Sequence, residues 1–259
     1  MLPLADHWIP EHLLKIHPLF HGSGGYLEVI GQVFWVFGIS KHVLSLFIAT
    51  GLMILVFPTI AKDDSLVPRG LRNFFEVIML FIRDEVAKPF LGPNTDKFLP
   101  VLWNFFFFIL FNNLLGLVPG MTTATGSILV TGTLAVTAMF WYHACGIAEQ
   151  GAVAYIKNIV PPGLPLPLLP LMIVVEIVGH VAKPFALTVR LFANMTGGHA
   201  VLYAFVGLVL IFQSWALGPV SVLAAIPIYM LELFVAFIQA YVFTFLVTVF
   251  LGAAVHPEH

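Results

Sequence analysis

Five polar side chains interrupt an otherwise apolar tract, 171–212: Glu176, His180, Lys183, Arg190 and Asn194. Their offsets from Glu176 are 4, 7, 14 and 18 residues. At about 100° per residue all fall within roughly 40° of one line along a helix. A charge at the centre of a bilayer costs about 2.5 to 3.5 kcal/mol on insertion scales. An aligned polar stripe therefore implies a partner surface or a water-filled path. The alternative is helix–helix glue, hydrogen bonds buried between packed spans. Glue is ordinarily Ser, Thr, Asn or Gln, and Arg190 fits it poorly because a guanidinium stays protonated under physiological conditions. Lys183 has a plainer explanation: a stem buried in lipid and an ammonium reaching headgroups.

A second apolar tract, 220–254, carries Glu232 and, seven residues on and on the same face, Gln239. His199 follows Gly197 and Gly198. A histidine and a partly buried glutamate can both approach neutral pKa values, the condition for relaying protons at useful rates. Each also has an ordinary reading, as a satisfied core carboxylate and as a buried histidine. Asn112 and Asn113 either line a water path or simply pack. His7, His12, His17 and His21 share no helical face, so a metal site is not expected. No phosphate-cradling loop, zinc spacing or nucleophile–base pair is present, and no cofactor is expected.

The elements that must position these groups follow from composition. Of the 259 residues, 60% are apolar and only 9% are charged. Soluble proteins carry about 25% charged residues, so the missing polar surface implies lipid as the solvent. The net charge of -2 leaves no basic patch for nucleic acid. A single cysteine, Cys145, excludes an internal disulfide. The first residues have no basic-then-apolar layout, which predicts neither a cleavable signal peptide nor a transit sequence.

About 20 apolar residues cross the hydrocarbon layer as a helix. Spans are expected at 43–61, 98–118 and 127–145, then in the two long tracts 171–212 and 220–254. The proline-rich run 161–170 before the first long tract cannot be regular helix. Unbroken, the long tracts would measure about 60 Å and about 50 Å, against a core of about 30 Å. Each is therefore either broken, with Pro184 and Gly197-Gly198 as candidate breaks, or steeply tilted, and tilt is the expectation. Residues 71–90 read as an interfacial amphipathic helix, with Arg72, Glu76 and Arg83 on one face and Phe74, Phe75, Ile78, Phe81 and Ile82 on the other. The expected fold is all-α: a polytopic membrane protein of about five transmembrane helices plus that amphipathic helix. Its organisation is an N-terminal outer segment, 1–42, and an integral membrane domain, 43–259. Six of the eleven Lys and Arg residues lie between the first two spans (Lys62, Arg69, Arg72, Arg83, Lys88 and Lys97), which places that loop on the inner side.

Three segments then carry a resemblance. KPFALTVRLFANMTGGH (183–199), IPIYMLELFVAFIQAYVFTFL (226–246) and NNLLGLVPG (112–120) resemble the motifs of the subunit a family of F-type ATP synthases. The likeness covers nearly the whole chain from about residue 43. It implies an essential arginine, Arg190, facing a rotating ring of c subunits, and two long helices inclined around that ring. It also implies two half-channels that do not meet, the outer one lined by Glu176, His180, His199 and Glu232 with Asn113, Asn194 and Gln239. Some bacterial relatives carry the His199–Glu232 pair with identities exchanged, and some carry an acid where this chain has Gly116. The implied partners are the c-ring, peripheral-stalk helices, the lipid bilayer and translocated protons. The implied location is a bacterial inner membrane, with the mitochondrial inner membrane as the alternative. The rivals are a secondary transporter, which would ordinarily show an internal repeat that is not seen here, and a purely structural membrane subunit, which leaves Arg190 without a purpose.

Overall fold

The computed structural model describes residues 41–61, 70–118, 123–158, 169–212 and 217–255. The four N-terminal histidines, Lys62, Arg69 and the proline-rich residues 161–168 lie outside them. Among the described residues every regular element is helical. They are α1 (Lys41–Ala61), α2 (Leu71–Phe81), a π-helical turn (Ile82–Ala87), α3 (Lys88–Leu91), α4 (Thr95–Leu117), α5 (Ile128–Gln150), α6 (Ala152–Asn158), α7 (Leu169–Phe212) and α8 (Leu217–Val255). The reason is the solvent: without water to hydrogen-bond the backbone, each span must satisfy its own N–H and C=O groups. Three described stretches are long and apolar enough to cross a membrane: Arg72–Leu117, Ile128–Gln150 and Gly218–Val255. His42–Pro58 is a shorter apolar helix. The chain is a polytopic all-helical membrane protein.

The long tracts are not broken. α7 runs for 44 residues through Pro184, Gly197 and Gly198, and α8 for 39 through Pro227. At 1.5 Å per residue they measure about 66 Å and about 58 Å, roughly twice a hydrocarbon core. Pro184 removes one backbone donor, yet its own carbonyl accepts from the Thr188 hydroxyl at 2.8 Å. In an apolar medium a single missing donor costs less than exposing a whole turn of backbone.

α2 begins the helical stretch expected over residues 71–90. It continues through the π turn and α3 to Gly92, whose φ of 53° turns the chain into α4. A side chain would strain that left-handed backbone. Arg83 secures the corner with two hydrogen bonds to the Asp96 carboxylate, at 3.0 and 3.1 Å.

The core centres on α4, which packs against α1 and α8. Phe107 meets Phe57 and Phe75 edge-on or tilted at 4.9 and 5.6 Å, while Phe105 meets Phe243 and Trp141. Lipid supplies no hydrophobic drive between spans, so close packing must do the work. Small residues permit it: Ala135, Ala138, Ala236 and Ala240 are fully buried.

Three pairs of neighbouring spans are antiparallel, and named pairs fix their register. α5 and α7 pair Gly132 with Thr188 and His143 with His180, and Thr123, in the connection before α5, meets His199. α7 and α8 pair His199 with Glu232, Asn194 with Gln239, and Lys183 with Phe250. α4 and α8 pair Leu117 with Tyr229, Asn113 with Ala236, and Phe105 with Phe243. One end of the bundle thus collects residues 42, 116, 123, 199 and 232. The other collects Lys97, Gln150, His180 and Ala254, and it is the end near Arg83 and Lys88.

Candidate functional site

His199 and Glu232 come together across α7 and α8, His199 Nδ1 meeting Glu232 Oε1. Glu232 is only 4% exposed, on a helix that otherwise exposes Leu231, Leu233 and Phe234 at that level. Its second oxygen, Oε2, is buried and has no hydrogen-bond partner among the described residues. The carboxyl can approach α7 this closely because residue 198 is glycine. A Cβ there would stand 2.6 Å from Glu232 Oε1 and 3.0 Å from its Cδ.

The far side of the His199 ring faces the α4–α5 connection. Nε2 lies 2.8 Å from the Thr123 hydroxyl and 3.1 Å from the Gly116 carbonyl. Tyr203, one turn on, meets the ring edge-on at 6.2 Å. His42 of α1 donates from Nδ1 to the Thr123 carbonyl at 3.1 Å. Asn113, fully buried, donates to Ala236 O and accepts from the Thr125 hydroxyl at 2.7 Å. Asn112 instead turns back on its own helix, to Phe108 O at 2.8 Å. Lower down, Asn194 donates to Gln239 Oε1 at 3.3 Å. The polar groups of α4, α7 and α8 thus form a string that starts near one end of the bundle and descends toward Arg190.

Arg190 is exposed, and among the described residues no side chain makes an ion pair or hydrogen bond with it. It shares an exposed face of α7 with Ala182, Ala186, Ala193, Gly197, Ala200 and Ala204. This face is smooth, because only small side chains recur at its 3- and 4-residue spacing.

The resemblance places Glu176 and His180 in one outer path with His199, and along α7 they stand far from it. Along unbroken α7, His199 is nineteen positions beyond His180 and twenty-three beyond Glu176. These are about 28 Å and about 35 Å along the axis. A shared helical face aligns residues by angle and says nothing of depth. The Glu176 side chain lies outside what is described. His180 instead stacks on His143 of α5, ring centroids 5.0 Å apart, and His143 Nδ1 pairs with the Tyr155 hydroxyl at 2.6 Å. Lys183 sits nearby with its ammonium 5.2 Å from the Phe250 ring centroid. This second cluster occupies the opposite end of the bundle. Arg190 lies between the two, nine residues from His199 and ten from His180, about 14 Å and about 15 Å along the helix.

Sequence reasoning missed His143, Tyr155 and Thr123. His143 and Thr123 belong to stretches with no polar stripe, and only the tertiary approach of α7 brings them to His180 and His199. Gly198 was legible as half of a glycine pair, though not for its reason.

Fold and site together define a class: a polytopic helical membrane protein with a His–Glu pair whose carboxylate is buried, a second histidine cluster at the far end, and between them a cation on an exposed helix face, unpaired among the described residues. Residues 43–252 match the family described as ATP synthase A chain. The chain is 39% identical to ATP synthase subunit a of Chloroherpeton thalassium, over 96% of this chain and 79% of that protein. It is 43% identical to ATP synthase subunit a of an Anaeromyxobacter species, over 99% of this chain and 64% of the relative. It is 41% identical to ATP synthase subunit a 2 of Chlorobaculum tepidum, over 97% of this chain and 72% of the relative. The chain belongs to the ATP synthase A chain family.

Proposed function

We propose that this chain is the stator proton-channel subunit of a rotary F-type ATP synthase, conducting protons to and from carboxylates on a ring of c subunits through two offset half-channels. The observation that carries the proposal is the position of Arg190: exposed, unpaired among the described residues, on a smooth small-residue face, and midway between two titratable clusters. A permanent cation left on the outside of a membrane bundle needs an anion from elsewhere. The carboxylates of a passing rotor supply one, and the alanine-lined face lets rotor helices approach closely.

On this reading the outer half-channel is lined by His199, Glu232, Asn113, Gln239 and Asn194. The inner one is lined by His180, joined by His143 and Tyr155. Arg190 favours the ionised form of each arriving carboxylate, so its proton departs on the inner side. The same charge repels a proton attempting to cross directly. The contact with each carboxylate must break at every step, which requires a wet interface rather than a dry ion pair. Each charge crossing 100 mV yields about 2.3 kcal/mol, so several protons must pass for each ATP made. The two long helices lie inclined around the ring, which reconciles their length with the bilayer. Peripheral-stalk helices cover other apolar faces of the bundle. The chain itself binds no nucleotide. Its relatives are bacterial, which supports a place in the bacterial inner membrane.

Replacing Arg190 with alanine tests the reading. The complex should assemble while proton-coupled ATP synthesis in membrane vesicles is abolished. Near-normal synthesis in that variant would overturn the proposal.

A further inference from the structure

We propose that Thr123 is a positioning residue for proton exchange at His199, its hydroxyl occupying the volume left open by glycine at 116. This inference rests on the proton-channel reading and adds to it a residue outside the polar string on α7 and α8.

The geometry at Nε2 is the starting point. Two protein groups lie within hydrogen-bond range among the described residues: the Thr123 hydroxyl at 2.8 Å and the Gly116 carbonyl at 3.1 Å. A carbonyl only accepts, whereas a hydroxyl either donates or accepts. With a proton on Nε2, both groups can receive it. With Nε2 bare, its lone pair faces the carbonyl oxygen, and only Thr123 can donate. The hydroxyl therefore keeps the ring satisfied in both protonation states, which a group gaining and losing a proton in every cycle requires. A buried polar atom without a partner costs more than one hydrogen bond contributes.

The surroundings hold the hydroxyl in place. Thr123 is buried, and its carbonyl accepts from the Gly126 N–H and from His42. Two residues on, Thr125 ties the turn to Asn113. Gly116 completes the fit: a Cβ at 116 would overlap the Thr123 hydroxyl and stand 2.5 Å from its Cβ and 2.9 Å from its Cγ2. Position 116 is therefore glycine for a reason other than backbone freedom, since it lies within regular helix. The titratable groups near the ring are Glu232 on α8, Tyr203 on its own helix and His42 of α1 reaching it through Thr123. Tyr229 of α8 is engaged with Leu117 O at 2.5 Å.

The test compares Thr123→Val, which keeps the shape, with Thr123→Ser, which keeps the hydroxyl. Both are made in the assembled complex, and passive proton flux is measured in vesicles stripped of the soluble sector. We expect flux about tenfold lower in T123V, the factor for one ordinary hydrogen bond, and near-normal flux in T123S. Gly116→Ala, which displaces the hydroxyl, should resemble T123V. Equal flux in T123V and T123S, or normal flux in G116A, would overturn the inference. If T123V does not assemble, Thr123→Ala replaces it. Failure of both to assemble beside a normal T123S marks a structural hydroxyl and also overturns it. The Arg190→Ala variant separates the two levels. If R190A remains coupled, the channel reading fails. If R190A behaves as expected and T123V matches wild type, only the role of Thr123 fails.

Discussion

At the scale of single residues, the His199–Glu232 pair depends on an atom that is missing. Residue 198 has no Cβ, and the Glu232 carboxyl takes that space. Alanine there would favour the helix backbone by about 1 kcal/mol, so the fold should tolerate it. The pair should not, because the carboxylate must move away from the ring. Gly198→Ala is expected to leave assembly intact and lower proton flux on the order of tenfold, about the factor for one charge-assisted hydrogen bond lost. Flux measured in stripped vesicles checks this, and wild-type flux would show that the contact is dispensable. Gly218, at the start of α8, meets nothing within 4 Å, so Gly218→Ala serves as the control and should conduct more than Gly198→Ala.

At the scale of elements, the bundle is assembled by close approach between spans. Gly146 on α5 lies where α6 and α8 converge. A Cβ there would stand 2.5 Å from the Tyr155 ring and 2.8 Å from the Ala254 carbonyl. The ring can shift, but the backbone of α8 yields only by separating the helices. Gly146→Ala should therefore destabilise the chain by about 1 to 3 kcal/mol as overpacking, partly offset by better helix propensity. Thermal unfolding of the purified complex in detergent would register this as a lower Tm. The ion pair between Lys97 and Glu149 joins α4 and α5 in the same region, with Lys97 well exposed. Removing it with Glu149→Gln should change stability by no more than about 1 kcal/mol, and a large drop in Tm would contradict that.

At the scale of the whole molecule, the surface is as informative as the core. α7 and α8 leave Val178, Val181, Phe185, Val222, Leu223, Met230, Leu231 and Phe234 exposed, a surface suited to lipid and to other helices. Within it, the alanine and glycine face around Arg190 is distinct in texture. If rotor helices pass there, a cysteine placed at Ala193 or Ala200 should form disulfides with a cysteine on a facing c-subunit helix. A cysteine at buried Leu187 or Leu191 should not. Cys145 is partly exposed and is first replaced by serine. Cross-linking followed by gel electrophoresis reads the result, and cross-links of equal yield from buried and exposed positions would argue against that face as the rotor interface.

Amino-acid order alone determined the solvent and most of the elements. A charge content of 9% leaves no alternative to lipid, and lipid leaves little alternative to helices. The run of polar positions on α7 marked Arg190 because a charge within an apolar span is costly whatever surrounds it. The same periodicity aligned Glu176 and His180 with Arg190 by angle, but spacing along a helix does not report the depth at which a partner stands. Depth was decided by tertiary register. Antiparallel pairing of α7 with both α5 and α8 sets His199 beside Glu232 and the connection residue Thr123 at one end, and His180 beside His143 at the other. The continuity of α7 through Pro184 was also a tertiary matter, since a helix in an apolar surround keeps its remaining backbone bonds where water would have let the chain break.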